Sequence, residues 1–144
     1  MQVLIVLLGS LLIFRVLGFA GIGLFTTWEH SARVARATMF LFTAVSHFAP
    51  MRRDLIAMVP PGLPRPELLV FVTGLAEVAG AVGLLIPRLR FWAASGLILL
   101  LIVMLPANVS AARRGILLRG RHATSLWLRV PMQMLFIAWA WAVR

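Results

Sequence analysis

The chain has 144 residues, of which 62% are hydrophobic and only 12% charged, with a mean hydropathy of +0.99. Soluble domains carry about 25% charged residues, so this composition excludes an ordinary soluble domain and predicts an all-α, polytopic membrane bundle. The absence of cysteine excludes disulfide relays, thiol redox chemistry, Fe–S ligation and cysteine-based zinc sites.

A hydrocarbon layer about 30 Å thick is crossed by about 20 apolar residues in a helix. Five such runs follow one another. The first covers residues 3–28, with Arg15 near its centre. It is long and lacks a basic leading stretch, so it reads as a span rather than a cleaved leader. The second covers residues 31–48, with Ser31 as its expected N-cap and Ala49-Pro50 as its stop. Then "MRRDLIAMVPPGLPRPE", residues 51–67, places four prolines between positions 60 and 66. Proline there forbids a helix interior, so this is an interfacial loop with "LIAMV" along the surface. Pro66 and Glu67 suit the first turn of the third run, residues 66–86, which Pro87 closes. The link "PRLR" is so short that the third and fourth runs, 66–86 and 89–112, must be antiparallel neighbours. A basic loop, "RRGILLRGRHATS", leads to the fifth run at 124–143, with Pro131 early in it. No strand, repeat or heptad array is expected. The whole chain, 1–144, reads as one transmembrane domain.

The net charge of +10 rests on 14 arginines and no lysine. In a soluble protein that balance would suggest nucleic acid. Here the arginines gather at run ends, where they snorkel to headgroups and set topology. Nucleic acid is therefore not an expected partner, and membrane lipid is. With the N-terminus inside, seven of the loop arginines fall inside and five outside, which favours N-in, C-out. The five tryptophans lie near run ends, as an aromatic belt does.

The informative residues are the polar ones inside apolar runs. Glu77 sits in "TGLAEVAGAVGLLIP", flanked at helical spacing by Thr73, Gly74, Gly80 and Ala81. Small neighbours let another helix approach closely, so Glu77 is expected to face the bundle interior. Counting residues from the loop at 51–67 places His47, Glu77, Asn108, Arg129 and Gln133 in one half of the membrane. Arg15 lies near mid-depth of the first run. Pro50, Pro106 and Pro131 punctuate the helices in that same half, and broken helices around clustered polar groups line cavities. Two readings stand side by side. His47, Asn108 and Gln133 are interhelical hydrogen-bond glue, and Arg129 merely snorkels. Alternatively the cluster is a site anchored on Glu77, since an intramembrane carboxylate is functional by default. No histidine pair has metal-ligand spacing, and no serine–histidine–acid set or phosphate loop is present.

Four short stretches resemble the DoxX-like family of small bacterial membrane proteins. They are "SHFAP" at 46–50, "VTGLAEVAGAVGLLIPRLR" at 72–90, "LPANV" at 105–109 and "RVPMQ" at 129–133. The resemblance implies a four-helix core, residues 31–144, with residues 1–30 as an additional N-terminal helix. It implies that Glu77, His47, Asn108 and Gln133 match the family's membrane polar residues, and that Arg36 matches an arginine at the start of the first core helix. It also implies a bacterial inner-membrane location and a link to quinone-dependent oxidoreductases or to assembly factors. Without cysteine, sulfur-transfer chemistry does not fit this chain. The expected function is that of a non-catalytic membrane subunit or assembly factor with an intramembrane polar cavity. The alternative is a component that binds a quinone or lipid-like small molecule and serves an oxidoreductase. No cofactor is encoded by a motif, and a quinone is the ligand to test. A partner membrane or redox protein and a homo-oligomer are further options.

Overall fold

The computed structural model describes residues 2–118, 121–122 and 126–142. Helices dominate: α1 (Gln2–Phe19), α2 (Trp28–Phe48), α3 (Arg52–Met58), α4 (Pro66–Leu85), α5 (Arg90–Arg113) and α6 (Leu126–Ala142). The main contacts run along the chain, α1 on α2, α2 on α4, α4 on α5 and α5 on α6. The short α3 lies across the ends of α2, α4 and α5.

Among the described residues, three helices, α1, α4 and α5, are long and apolar enough to cross a membrane. The expectation of five such runs is met only in part. Helix α2 has 21 residues, but Glu29, Arg33 and Arg36 charge its first half. Helix α6, as described, has 17 residues, one fewer than α1, the shortest of the three.

The molecule wears its apolar residues outward. Leu12, Phe19, Val45, Leu75, Trp92, Leu99 and Val103 are exposed, whereas Arg15, Arg33, Arg36, His47, Glu77 and Gln133 are buried. Water as sole solvent would favour the reverse; a hydrocarbon solvent favours this. A small apolar core remains between the helices, built on Leu7, Ala35, Ala37, Met39, Phe40, Ala81, Leu84, Ala94 and Leu97.

Several local expectations change. The first run is not continuous to residue 28. Helix α1 stops at Phe19, Gly21 takes φ +93, and a 3-10 turn follows at Gly23–Phe25. The turn folds back on Gly18, where an added Cβ would lie 2.1 Å from the Phe25 oxygen. The N-cap of α2 is Thr27, not Ser31: its hydroxyl accepts from the His30 amide. The Ser31 hydroxyl instead lies 3.1 Å from the Thr27 carbonyl and 3.2 Å from that of Phe25. Helices α5 and α6 run through Pro106 and Pro131 rather than breaking there. Each proline removes one helical donor, and both helices continue through it. The loop at 51–67 contains a helix, α3, whose seven residues precede the prolines. The basic loop contains a two-residue antiparallel ribbon, β1 (Leu117–Leu118) with β2 (Arg121–His122), where no strand was expected.

The antiparallel fit of α4 on α5 follows from glycine. A Cβ on Gly80 would lie 2.5 Å from Leu97, and one on Gly83 would lie 2.7 Å from the Ala93 Cβ. Both separations are below van der Waals contact, so only the missing side chains let the backbones come this near.

Candidate functional site

The polar centre is built where α2 crosses α4. Gly74 makes the crossing: a Cβ there would stand 2.5 Å from the His47 Cβ. His47 is therefore laid directly on the α4 backbone, and its ring is 3% exposed. Its Nδ1 lies 2.8 Å from the Val70 carbonyl and 3.3 Å from the Thr73 hydroxyl. A carbonyl oxygen only accepts, so Nδ1 carries the proton and donates. The Thr73 hydroxyl lies 2.9 Å from the Leu69 carbonyl and 3.0 Å from that of Val70, donors' partners one turn back on its own helix.

With Nδ1 committed, Nε2 faces Glu77. It lies 3.7 Å from Oε1, an ion-pair separation rather than a hydrogen bond. Glu77 itself is 5% exposed. One proton between the two groups leaves the pair neutral overall, whether it rides on the imidazole or on the carboxyl. Removing that proton would bury a net negative charge, which costs several kcal/mol. The second carboxyl oxygen, Oε2, is buried and has no hydrogen-bond partner among the described residues.

The other candidates divide. Asn108 and Gln133 meet each other rather than Glu77: the Asn108 amide donates to Gln133 Oε1 at 3.2 Å. The Gln133 amide donates in turn to the Leu101 carbonyl. That carbonyl neighbours the one at Ile102, which Pro106 leaves without its usual helical donor. This second pair joins α5 to α6, as the first joins α2 to α4. The Arg129 side chain lies outside the described residues.

Arg15 is not part of this cluster. Its Nη1 donates to the carbonyls of Phe25 and Thr26, at 3.0 and 2.9 Å, and its guanidinium lies over the rings of Phe19 and Trp28. It fastens the turn between α1 and α2, roughly 30 Å along α2 from His47 at 1.5 Å per residue. The reason is the early end of α1, which puts Arg15 in its last turns instead of at mid-depth. Arg36 is also distant from Glu77 in the fold. It lies eleven residues before His47 on α2 and is 2% exposed.

A groove of about 570 Å³ opens along α5, lined by Leu105, Pro106, Ser110, Arg113 and Arg114 among others. None of Glu77, His47 or Arg36 lines it. Among the described residues, no three His, Cys, Asp or Glu side chains are grouped to hold a metal ion.

A family model described as a domain of unknown function, DUF8561, matches residues 36–144. The chain belongs to this family. The DUF8561 stretch opens at Arg36 and contains His47, Glu77, Asn108 and Gln133, while Arg15 and the turn it holds lie outside it. No curated protein and no solved structure matches the chain.

What sequence reasoning missed at the DUF8561 site is the role of Thr73 and the Val70 carbonyl, which fix the His47 tautomer. Thr73 was legible only as a small neighbour of Glu77. Its place four residues before Glu77, on the same face, is the signal that could have paired it with a histidine from the facing helix.

Proposed function

We propose that the chain is an integral membrane protein of DoxX-like type, with a core at 31–144 and an added helix at 1–30, that serves a bacterial inner membrane as a non-catalytic subunit or assembly factor. The observation that carries this reading is the internal use of the polar groups. His47 is committed to Val70, Thr73 and Glu77, and Asn108 is committed to Gln133. Groups so occupied act as struts between helices, and each strut joins helices that pack against one another. On this reading a partner protein docks on the lipid-facing surface and the polar pairs keep that surface in shape.

A second reading rests on one atom. Glu77 Oε2 is buried and unpartnered among the described residues, so it can accept a hydrogen bond from a quinone's hydroquinone form or another apolar ligand bearing a hydroxyl. Thermal unfolding of the purified chain in detergent, with and without a short-chain quinone, separates the two. The subunit reading expects no quinone-dependent rise in midpoint for the wild type and a lowered midpoint for Glu77→Ala. A rise that disappears in Glu77→Gln would replace it with the ligand reading.

A further inference from the structure

The end of the bundle opposite His47 holds a charge that the described residues do not answer. Among the described residues, five arginines belong to this part of the fold, Arg15, Arg33, Arg36, Arg88 and Arg90, against the single side-chain carboxylate of Glu29. The other three acids, Asp54, Glu67 and Glu77, lie on α3, at the start of α4 and against His47. Glu29 is taken by Arg33 in an ion pair one turn apart, and its side chain is largely exposed. Arg15 spends Nη1 on the turn.

Arg36 has nothing of the kind. It is the largest fully buried side chain among the described residues, and Nε, Nη1 and Nη2 all lack an acceptor among them. Arg33 Nε and Arg90 Nε are buried and unpartnered beside it in the same sense. Arg33 feels the charge of both Arg36 and Arg90. Arg33 and Arg36 are one turn apart on α2, and their charges repel. Arg90, the first residue of α5, repels Arg33. Side chains on a helix lean toward its N-terminus, so Arg36 leans toward Arg33 and the exposed ring of Trp28, the headgroup end of α2.

A buried guanidinium with five donors and no acceptor is stable only if an anion completes it. We propose that Arg36, with Arg33 and Arg90, forms a binding site for a phosphate group. The planar fork of arginine matches two phosphate oxygens at once, and the surplus of positive charge at this end suits a dianion or an anionic phosphodiester. Two sources carry that chemistry, an anionic lipid headgroup and a soluble phosphate. The inference is independent of the reading of His47 and Glu77, which lie at the other end of α2.

The test is thermal unfolding of the full chain in maltoside micelles, which contain no phosphate. One arm adds inorganic phosphate against chloride at constant ionic strength. The other adds phosphatidylglycerol in phosphate-free buffer. The wild-type midpoint is expected to rise by roughly 5–10 °C at a hundred times Kd in at least one arm. A rise with inorganic phosphate identifies a soluble ligand, and a rise with the lipid alone identifies a headgroup. Arg36→Met should lose the rise, while Arg53→Met, on α3 at the far end, should keep it. No rise of the wild type in either arm overturns the proposal, whatever the variants do. An Arg36→Met protein that responds as strongly as the wild type overturns it as well.

Discussion

The two ends of α2 handle buried charge in opposite ways. At its C-terminal end, the buried His47 faces the buried Glu77 at an ion-pair separation of 3.7 Å. At its N-terminal half, Arg36 is as deeply buried and meets no acceptor among the described residues. Eleven residues separate them on one helix, about 16 Å. The difference teaches that burial alone does not define a polar residue's role. A paired group closes an interface from within, whereas an unpaired one leaves a demand that the described residues do not meet. The two ends should therefore respond to substitution with opposite signs.

The largest effect is expected where packing and pairing coincide. Gly74→Leu drives a side chain into His47 and should lower stability by about 3 kcal/mol or more. Unfolding in a denaturing-detergent titration measures this, and wild-type behaviour would show that α2 and α4 do not meet at Gly74. Next, Glu77→Ala leaves His47 Nε2 facing nothing and should cost about 1–3 kcal/mol. The double change His47→Leu with Glu77→Leu should cost clearly less than the two single changes added together, because removing both partners of a buried pair is better tolerated than removing one. Additive costs would end the description of the pair as a strut.

The opposite end should invert the sign. In phosphate-free micelles, Arg36→Met removes an unanswered charge and should stabilise the fold by about 1–2 kcal/mol. Destabilisation under those conditions would mean that Arg36 has an answering group within the chain after all. A smaller effect belongs to the α5–α6 contact. Asn108→Leu removes one hydrogen bond of interhelical type and should cost about 0.6 kcal/mol; a double-mutant cycle with Gln133→Leu reads the coupling directly. Smallest of all, Arg53→Met changes an exposed residue and should stay within about 0.5 kcal/mol in the same titration.

Much of the architecture was legible from hydropathy. Apolar runs bounded by proline or arginine gave α4 and α5 to within a residue or two, because a span must be long and uninterrupted. The small residues around Glu77 announced close packing, and Gly74 and Gly80 are indeed where α2 and α5 approach α4. What stayed hidden depends on partners distant in sequence. Gly21 is one glycine among several in an apolar stretch, and nothing local says that it alone turns positive in φ and ends α1. That early end carried Arg15 away from mid-depth. Proline was read too literally at 106 and 131, since it removes one donor without obliging the helix to end. Equal depth placed Asn108 and Gln133 with Glu77, but depth gives no bearing around the bundle axis, and they face each other instead.

Helix α3 shows how the timing of synthesis enters such a fold. Its final carbonyls are closed by Arg114, whose Nη2 lies 2.7 to 3.0 Å from the oxygens of Ala57, Met58 and Val59. Arginine is a fit donor for the last turn of a helix, but this one lies 55 to 57 residues further along the chain. While a ribosome is still making α4 and α5, α3 has no lock on its C-terminal end. The Arg114 contacts to this segment form only after α5 has been made. Hydrogen exchange should record this order as faster opening at the end of α3 in Arg114→Ala, with α4 unchanged; equal protection in both proteins would show that α3 holds itself.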